Sequence, residues 1–90
     1  MDIERIRAKI ADIAARPKHV QFDELASLLD NHISGLCTNY NHHGNPHHAF
    51  TVGEETFNIS KPHRGFVKKV YVMRFLEAME ALGLYEVKGD

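Results

Sequence analysis

The stretch that decides the fold of this chain covers residues 47–60 and reads HHAFTVGEETFNIS. Apolar and polar residues alternate before and after the sequence Gly53-Glu54-Glu55. Alternation with a period of two is typical of β-strands, and a glycine-containing turn between two such runs favours a hairpin. The stretch therefore predicts two antiparallel strands at residues 47–52 and 56–60.

The segment before this hairpin carries four of the seven histidines of the chain around a Gly-Asn-Pro turn. It reads NYNHHGNPHHAF over residues 39–50, and residues 36–40 predict a further strand. Three short strands in an antiparallel meander are the simplest interpretation. Because successive side chains of a strand point to opposite faces, His48 shares a face with Phe50, and His47 lies on the other. If helices cover only the apolar face, His47 is accessible to solvent.

Three other segments show apolar residues at steps of three and four, the period of an amphipathic helix. The first predicted helix covers about residues 2–15. The second begins at Phe22 and fades by residues 32–35, and the last covers about residues 67–82 with Gly83 as a C-terminal cap. Together the elements predict an α+β fold, in which a three-stranded antiparallel sheet has helices packed on one face.

The length of 90 residues predicts one small domain that spans residues 1–90. Such a chain buries only about 60–65% of the surface that its unfolded state exposes, so we expect an open site rather than an enclosed cavity. The single cysteine, Cys37, excludes an internal disulfide. No apolar run is long enough for a membrane span or the core of a signal peptide. We therefore expect a soluble, cytoplasmic protein.

Charge is distributed unevenly along the chain. The formal net charge is −1, yet residues 56–76 contain no acid and hold five cations. These cations are Lys61, Arg64, Lys68, Lys69 and Arg74. Several of them occupy the N-terminal half of the last predicted helix, where backbone N–H groups and the helix dipole also attract anions. The segment predicts a phosphate-binding surface, and a solvated basic helix face is the alternative.

Clustered histidines permit metal binding or acid–base catalysis. Imidazole is a common ligand of zinc, copper and nickel. The candidate ligands are His42, His43, His47 and His48. No cysteine pair is present, no carboxylate lies between Asp30 and Glu54, and alternation turns the two adjacent histidines of the strand in opposite directions. We therefore predict no metal and no cofactor, and a metal-binding protein remains a separate hypothesis.

Cleavage of RNA is a reaction that one accessible histidine and nearby cations can perform. RNA supplies its own nucleophile, the ribose 2′-hydroxyl, so the enzyme needs a base, a proton donor for the leaving oxygen and cations near the phosphate. His47 and the basic segment meet this requirement without a metal or a deep pocket. His42 and His43 are candidates for the second proton-transfer group. Catalysis by Cys37 is a weaker alternative, because a lone cysteine in a strand is commonly a small buried hydrophobe.

Four segments of the chain resemble the HicA-type mRNA interferase toxins of bacterial toxin–antitoxin systems. They are FDELASLL at residues 22–29, GNPHHAF at 44–50, FNISKP at 57–62 and VKKVYVMRFL at 67–76. The last two segments are the most specific part of the resemblance. It covers residues 21–85 as the core of the domain and leaves residues 1–17 as an additional N-terminal helix.

The resemblance implies a double-stranded-RNA-binding-domain-like fold, helix–three strands–helix, and a metal-independent endoribonuclease that cleaves mRNA through one histidine. In that family the histidine follows a Gly-Ser pair, whereas here the element reads Gly44-Asn45-Pro46-His47. Counting back from Phe50 places His47 at the catalytic position, and the five cations become RNA-binding candidates. The resemblance further implies a HicB-type antitoxin as protein partner. The additional helix is interpreted as a fusion, a decoration or a dimerisation surface, and the last of these would make the protein a homodimer.

The main alternative keeps the fold without the catalysis. It is either an RNA-binding domain without catalysis or a protein-interaction domain of the same fold. Recognition of double-stranded RNA by its shape uses phosphate and 2′-hydroxyl contacts and needs no catalytic histidine. Salt-dependent RNA binding without cleavage products would distinguish it from the nuclease. Stoichiometric zinc or nickel in untagged protein would instead support the metal-binding hypothesis.

Overall fold

A computed structural model describes residues 3–44 and 47–86 and contains three α-helices, one 3₁₀-helix and three β-strands in those residues. In chain order they are α1 (Ile3–Ala15), α2 (Phe22–Asn31), the 3₁₀-helix (Ile33–Leu36), β1 (Tyr40–His43), β2 (His48–Val52), β3 (Glu55–Ile59) and α3 (Lys69–Ala81). The predicted α+β class is confirmed. The order from α2 to α3 is consistent with a double-stranded-RNA-binding-domain-like fold. None of the described helices is both long enough and apolar enough to cross a membrane.

The three strands form one antiparallel sheet in the order β1-β2-β3, as the meander prediction requires. The register opposes His42 to Phe50, so these two side chains share a face. It also opposes Ala49 to His43 on one side and to Asn58 on the other, and these side chains share the opposite face. The sheet therefore separates the two histidines of β1.

Helices cover the face of the sheet that carries Phe50. The buried side chains of this face are Phe50, Val52, Phe57 and Ile59. Helix α3 packs on β3, where the Phe75 ring meets the Phe57 ring edge-on with centroids 6.1 Å apart. The first two helices supply further buried side chains, namely Ile6, Ile10, Ile13, Phe22, Leu25, Leu28 and Leu29. Thr56 and Asn58 alternate with the buried residues of β3 and are exposed, so the predicted two-sided sheet is confirmed.

The first strand lies further along the chain than residues 36–40, so that prediction is wrong. Residues Ile33–Leu36 instead form a 3₁₀ turn directly after α2, where the Ser34 hydroxyl donates to the Asp30 carbonyl oxygen at 2.6 Å. This turn carries the Ile33 side chain into the core, where it is fully buried. The chain reaches the sheet only at Tyr40, where β1 begins.

Backbone and side-chain hydrogen bonds hold the segments that precede α2 and α3 in place. The Arg16 guanidinium, which follows α1, contacts the Glu24 carboxylate at the start of α2. That carboxylate also accepts the Gln21 backbone N–H at 2.8 Å, which completes a capping box. The Val67 backbone N–H donates to the Val20 carbonyl oxygen at 2.8 Å. The segments that precede α2 and α3 are therefore joined to each other.

Helix α3 is slightly shorter than predicted. It spans Lys69–Ala81, and Val67 lies before it as a buried residue outside the helix. Gly83 has a φ of 78°, and its N–H donates to the Glu80 carbonyl oxygen at 3.0 Å. This left-handed conformation favours glycine, so the predicted glycine cap is confirmed.

Candidate active site

His47 lies at one end of the sheet, in the bend that enters β2, and its side chain is exposed. The predicted accessibility of this histidine is confirmed. Its imidazole forms no hydrogen bond within the described part of the chain, which leaves it free to act on a ligand there. Asn45 and Pro46, the middle of the Gly-Asn-Pro-His element, lie outside the described residues.

A second group of histidines occupies the helix-facing side of the same end of the sheet. His42 of β1 lies between Asp30, near the end of α2, and His48, at the start of β2. Nδ1 of His42 is 3.1 Å from each Asp30 carboxylate oxygen, and Nε2 is 2.8 Å from Nδ1 of His48. The Tyr40 hydroxyl donates to the same carboxylate. Asp30, His42 and His48 thus form a continuous hydrogen-bonded chain, the Asp30–His42–His48 triad.

Aromatic packing holds the two imidazoles of the triad. His42 stacks on Phe50 with ring centroids 4.1 Å apart and an interplanar angle of 24°. His48 packs against Phe22 with centroids 4.5 Å apart. Gly44 lies close to the His48 ring, because a Cβ there would come within 3.3 Å of His48 Cε1. The rings are therefore oriented by packing as well as by hydrogen bonds.

The surroundings of the triad favour neutral His48. Partial burial lowers the pKa of His48, positive charge on His42 and Lys61 lowers it further, and the Asp30 carboxylate acts in the opposite direction. Burial, followed by the hydrogen bond to Asp30, raises the pKa of the Tyr40 hydroxyl. Tyr40 therefore remains a hydrogen-bond donor through the neutral range, and His48 remains available as a base.

One of the five predicted phosphate-binding cations lies beside the triad. Lys61 Nζ is 5.5 Å from the centroid of the Phe22 ring, the ring that contacts His48. Arg64 and Lys68 lie on the connection into α3, and Lys69 lies in its first turn. All three are exposed and form no ion pair with another described residue. These four cations are therefore available to an anionic ligand.

Arg74 lies in a different environment. Its guanidinium is 5.8 Å from the centroid of the Tyr71 ring in the same helix. It lines a shallow groove beside β3 together with Glu55 and Glu77. Nearby acids weaken the attraction of a cation for phosphate, so Arg74 is less favourably placed for phosphate binding than the other four cations.

The structure divides the four histidines that are the candidate ligands of the metal-binding hypothesis. His42 and His48 belong to the triad, His43 lies on the open face, where its Nε2 is 3.0 Å from the Asn41 side-chain nitrogen, and His47 lies in the exposed bend. Within residues 3–44 and 47–86, no group of three or more His, Cys, Asp or Glu side chains is arranged to hold a metal ion. Hydrogen bonds within the triad already occupy both ring nitrogens of His42.

Sequence reasoning identified His48 as the inward-facing histidine but missed its connection to Asp30. The displaced prediction for β1 left His42 in a turn without a defined direction. Tyr40 and His42 alternate with Asn41 and His43, and both members of the first pair are partly buried. A strand prediction with these bounds and this register would have placed His42 on the face of His48.

Comparison of the chain with protein-family models, with curated proteins and with solved structures finds no match. The resemblance of its segments to HicA-type toxins therefore stays a prediction.

Proposed function

We propose that this chain is a metal-independent endoribonuclease that cleaves mRNA, and that its active site is the end of the sheet where β1 passes into β2. The observation that carries this proposal is the hydrogen-bonded Asp30–His42–His48 triad. It lies beside Lys61, at the same end of the sheet as exposed His47. Acid–base groups and a cation are the parts that transesterification of RNA requires.

In this reaction the ribose 2′-oxygen attacks the neighbouring phosphorus and displaces the 5′-oxygen. His47 serves as general acid or general base, and its exposure allows contact with a bound strand. Lys61, Arg64, Lys68 and Lys69 attract the phosphates on either side, while Arg74 would act from the groove beside β3. The products are a 2′,3′-cyclic phosphate and a free 5′-hydroxyl.

The biological setting of the proposed nuclease follows from its resemblance to HicA-type toxins. An enzyme of this kind would act on mRNA in the cytoplasm and would be blocked by a HicB-type antitoxin. Helix α1 would be an addition to the usual unit, and its outer surface could support a homodimer.

The test is incubation of purified protein with a labelled single-stranded RNA in excess EDTA. Wild-type protein should cleave it and leave 2′,3′-cyclic phosphate ends, whereas His47→Ala should lose about 10²–10⁴-fold in rate. The matched control is His19→Ala, which removes another exposed histidine, one in edge-on contact with Phe66. Cleavage by His47→Ala at the wild-type rate would show that His47 has no catalytic role.

A non-catalytic RNA-binding domain is the second candidate, and the exposed cations before and within the first turn of α3 favour it. Because binding would depend on counterion release, the logarithm of the association constant should fall linearly with the logarithm of salt concentration. Lys68→Gln should reduce the magnitude of that slope by about 1, because one phosphate contact is lost. Strong binding without cleavage products would favour this candidate over the nuclease.

A further inference from the structure

The hydrogen bonds of the Asp30–His42–His48 triad fix where each neutral imidazole carries its proton. An ionised carboxylate can only accept hydrogen bonds, so His42 must donate to Asp30 from Nδ1, at 3.1 Å. Neutral His42 then has its lone pair on Nε2, which accepts the bond from Nδ1–H of His48 at 2.8 Å. Neutral His48 is therefore left with an unprotonated Nε2. The triad presents a base at its outer end.

The outer nitrogen of His48 has no competing partner among the described residues. Nε2 forms no hydrogen bond with any of them, and the His48 side chain is only partly buried. The described part of the chain contains no buried side-chain nitrogen or oxygen without a partner. Since Nε2 has no partner, it is not one of the buried atoms and is in contact with solvent. A ligand hydroxyl can therefore reach it.

Each element packed around His48 contributes a group that affects its proton affinity. Helix α2 contributes the Asp30 carboxylate and the Phe22 ring, β1 contributes His42, and the segment after β3 contributes Lys61. Phe22 and Lys61 disfavour a positive charge on His48, through burial and repulsion. Asp30 acts through His42 in the opposite direction and stabilises the proton once it has arrived.

We propose that Nε2 of His48, oriented by His42 and Asp30, is the general base of the RNA-cleaving site, with exposed His47 as its general acid. This division of roles rests on the proposed function and makes it specific. Asp30 and His42 do not touch the substrate and are positioning residues. The logic is that of a catalytic triad, in which the carboxylate fixes the tautomer of the imidazole and stabilises its charged form.

The proton balance of the step follows from these roles. Nε2 of His48 takes the proton of the 2′-hydroxyl as the 2′-oxygen forms a bond to phosphorus. The bond from phosphorus to the 5′-oxygen breaks, and the imidazolium of His47 gives its proton to that oxygen. The positive charge gained by His48 is shared along its bond to His42 and is stabilised by Asp30. Return of a proton from His48 to water and uptake of one by His47 restore the starting state.

Replacement of His48 tests the role of the base directly. In the EDTA assay, His48→Gln should reduce the cleavage rate about 10²–10⁴-fold. The matched control is His32→Gln, which replaces another partly buried histidine, at the C-terminal cap of α2, and should cleave at close to the wild-type rate. If wild type cleaves and His48→Gln cleaves equally well, His48 is not the base and the nuclease proposal stands. If wild type cleaves no RNA, the nuclease proposal itself fails, and the role of His48 with it.

Replacement of Asp30 separates a positioning role from a merely structural one. Asp30→Asn keeps the size of the side chain but removes its charge, so the pKa of His48 should fall. The acidic limb of the kcat/KM profile, which reports the base of the free enzyme, should then move to lower pH while the plateau decreases. If the plateau of kcat/KM decreases but the acidic limb stays at the same pH, Asp30 only supports the fold.

Imidazole NMR tests the tautomers without any RNA. In ¹⁵N-labelled protein above the pKa of both rings, His42 and His48 should each carry the proton on Nδ1. A neutral His48 with its proton on Nε2 would overturn the proposal even if the protein cleaves RNA. Chemical shifts of folded His48→Gln protein, compared with wild type, also show whether a loss of activity comes from unfolding.

Discussion

At the scale of single residues, Gly44 matters because it has no side chain. A Cβ at this position would lie 3.3 Å from Cε1 and 3.4 Å from Nδ1 of His48, closer than most such contacts in proteins. Since Nδ1 is the atom bonded to His42, Gly44→Ala should push the imidazole away and lengthen the 2.8 Å hydrogen bond. We expect cleavage to fall about tenfold, because small displacements of a catalytic group are costly.

A double-mutant cycle measures whether Gly44 acts through His48. Gly44→Ala in a His48→Gln background should cause no further loss of cleavage, because the ring that the methyl group displaces is absent. Independent, multiplicative losses would instead show that Gly44 serves the turn itself.

The lowered pKa of His48 also predicts how the free energy of unfolding depends on pH. Because its pKa is lowered in the folded protein, folding favours the neutral form. The associated stability is fully present above the unfolded pKa of about 6.5 and is lost as pH falls from there towards the folded pKa. Urea unfolding from pH 7.5 to pH 5 should show this decline in wild type and a smaller decline in His48→Gln. Equal declines in the two proteins would contradict it.

At the scale of elements, the parts of the fold that sequence predicted well are those with strong apolar periodicity. Helices α1 and α2 and the β2–β3 hairpin lie within one or two residues of their predicted bounds. The first strand was misplaced because Tyr40 and His42 are its inward-facing residues, and neither side chain is aliphatic. Hydrophobic periodicity carries little signal in such a strand.

The candidate site was predictable to a similar extent. Alternation along one strand was enough to assign exposed His47 and inward-facing His48. The partnership of Asp30 with His42 joins the end of a helix to a strand twelve residues later. The turn that buries Ile33 connects these two elements, and it has no simple sequence pattern. Long-range contacts between polar side chains depend on packing that periodicity does not describe.

The connection between α1 and α2 allows a prediction about an ion pair. Glu24→Gln removes the charge that pairs with Arg16, while the amide can still take part in the capping box. The partners are 32% and 36% exposed, so the loss should be only about 0.5–1 kcal/mol at pH 7. The Arg16 guanidinium lowers the pKa of Glu24, so this stability is present above about pH 4.3 and is lost as pH falls through the folded pKa.

Urea unfolding at pH 7 and pH 3 checks this prediction. The two proteins should differ at pH 7, and the difference should be smaller at pH 3. Asp23→Asn is the matched control, since it removes a neighbouring carboxylate from the same first turn and retains the Arg16–Glu24 pair. A loss in Asp23→Asn as large as that in Glu24→Gln would assign the effect to the helix dipole.

At the scale of the whole molecule, α1 is part of the core. Its inward face places Ile6, Ile10 and Ile13 in the same buried cluster as the sheet residues. The Arg7 guanidinium also donates to the Gly83 carbonyl oxygen beyond the end of α3. The free energy of unfolding of a small domain is low, so removal of these contacts should destabilise the whole fold rather than one helix. We therefore expect residues 21–85 alone to be much less stable than the full chain.

Two isoleucines of α1 provide the sharpest test of this expectation. Ile10 is fully buried, whereas Ile3 is 47% exposed at the start of the same helix. Ile10→Ala should cost about 2–5 kcal/mol of unfolding free energy, because it leaves a cavity, and Ile3→Ala should change it by less than about 0.5 kcal/mol. If Ile10→Ala does not fold, Ile10→Val should still cost about 0.5–1.5 kcal/mol. Equal, small effects at both positions would mean that α1 does not pack on the domain in solution.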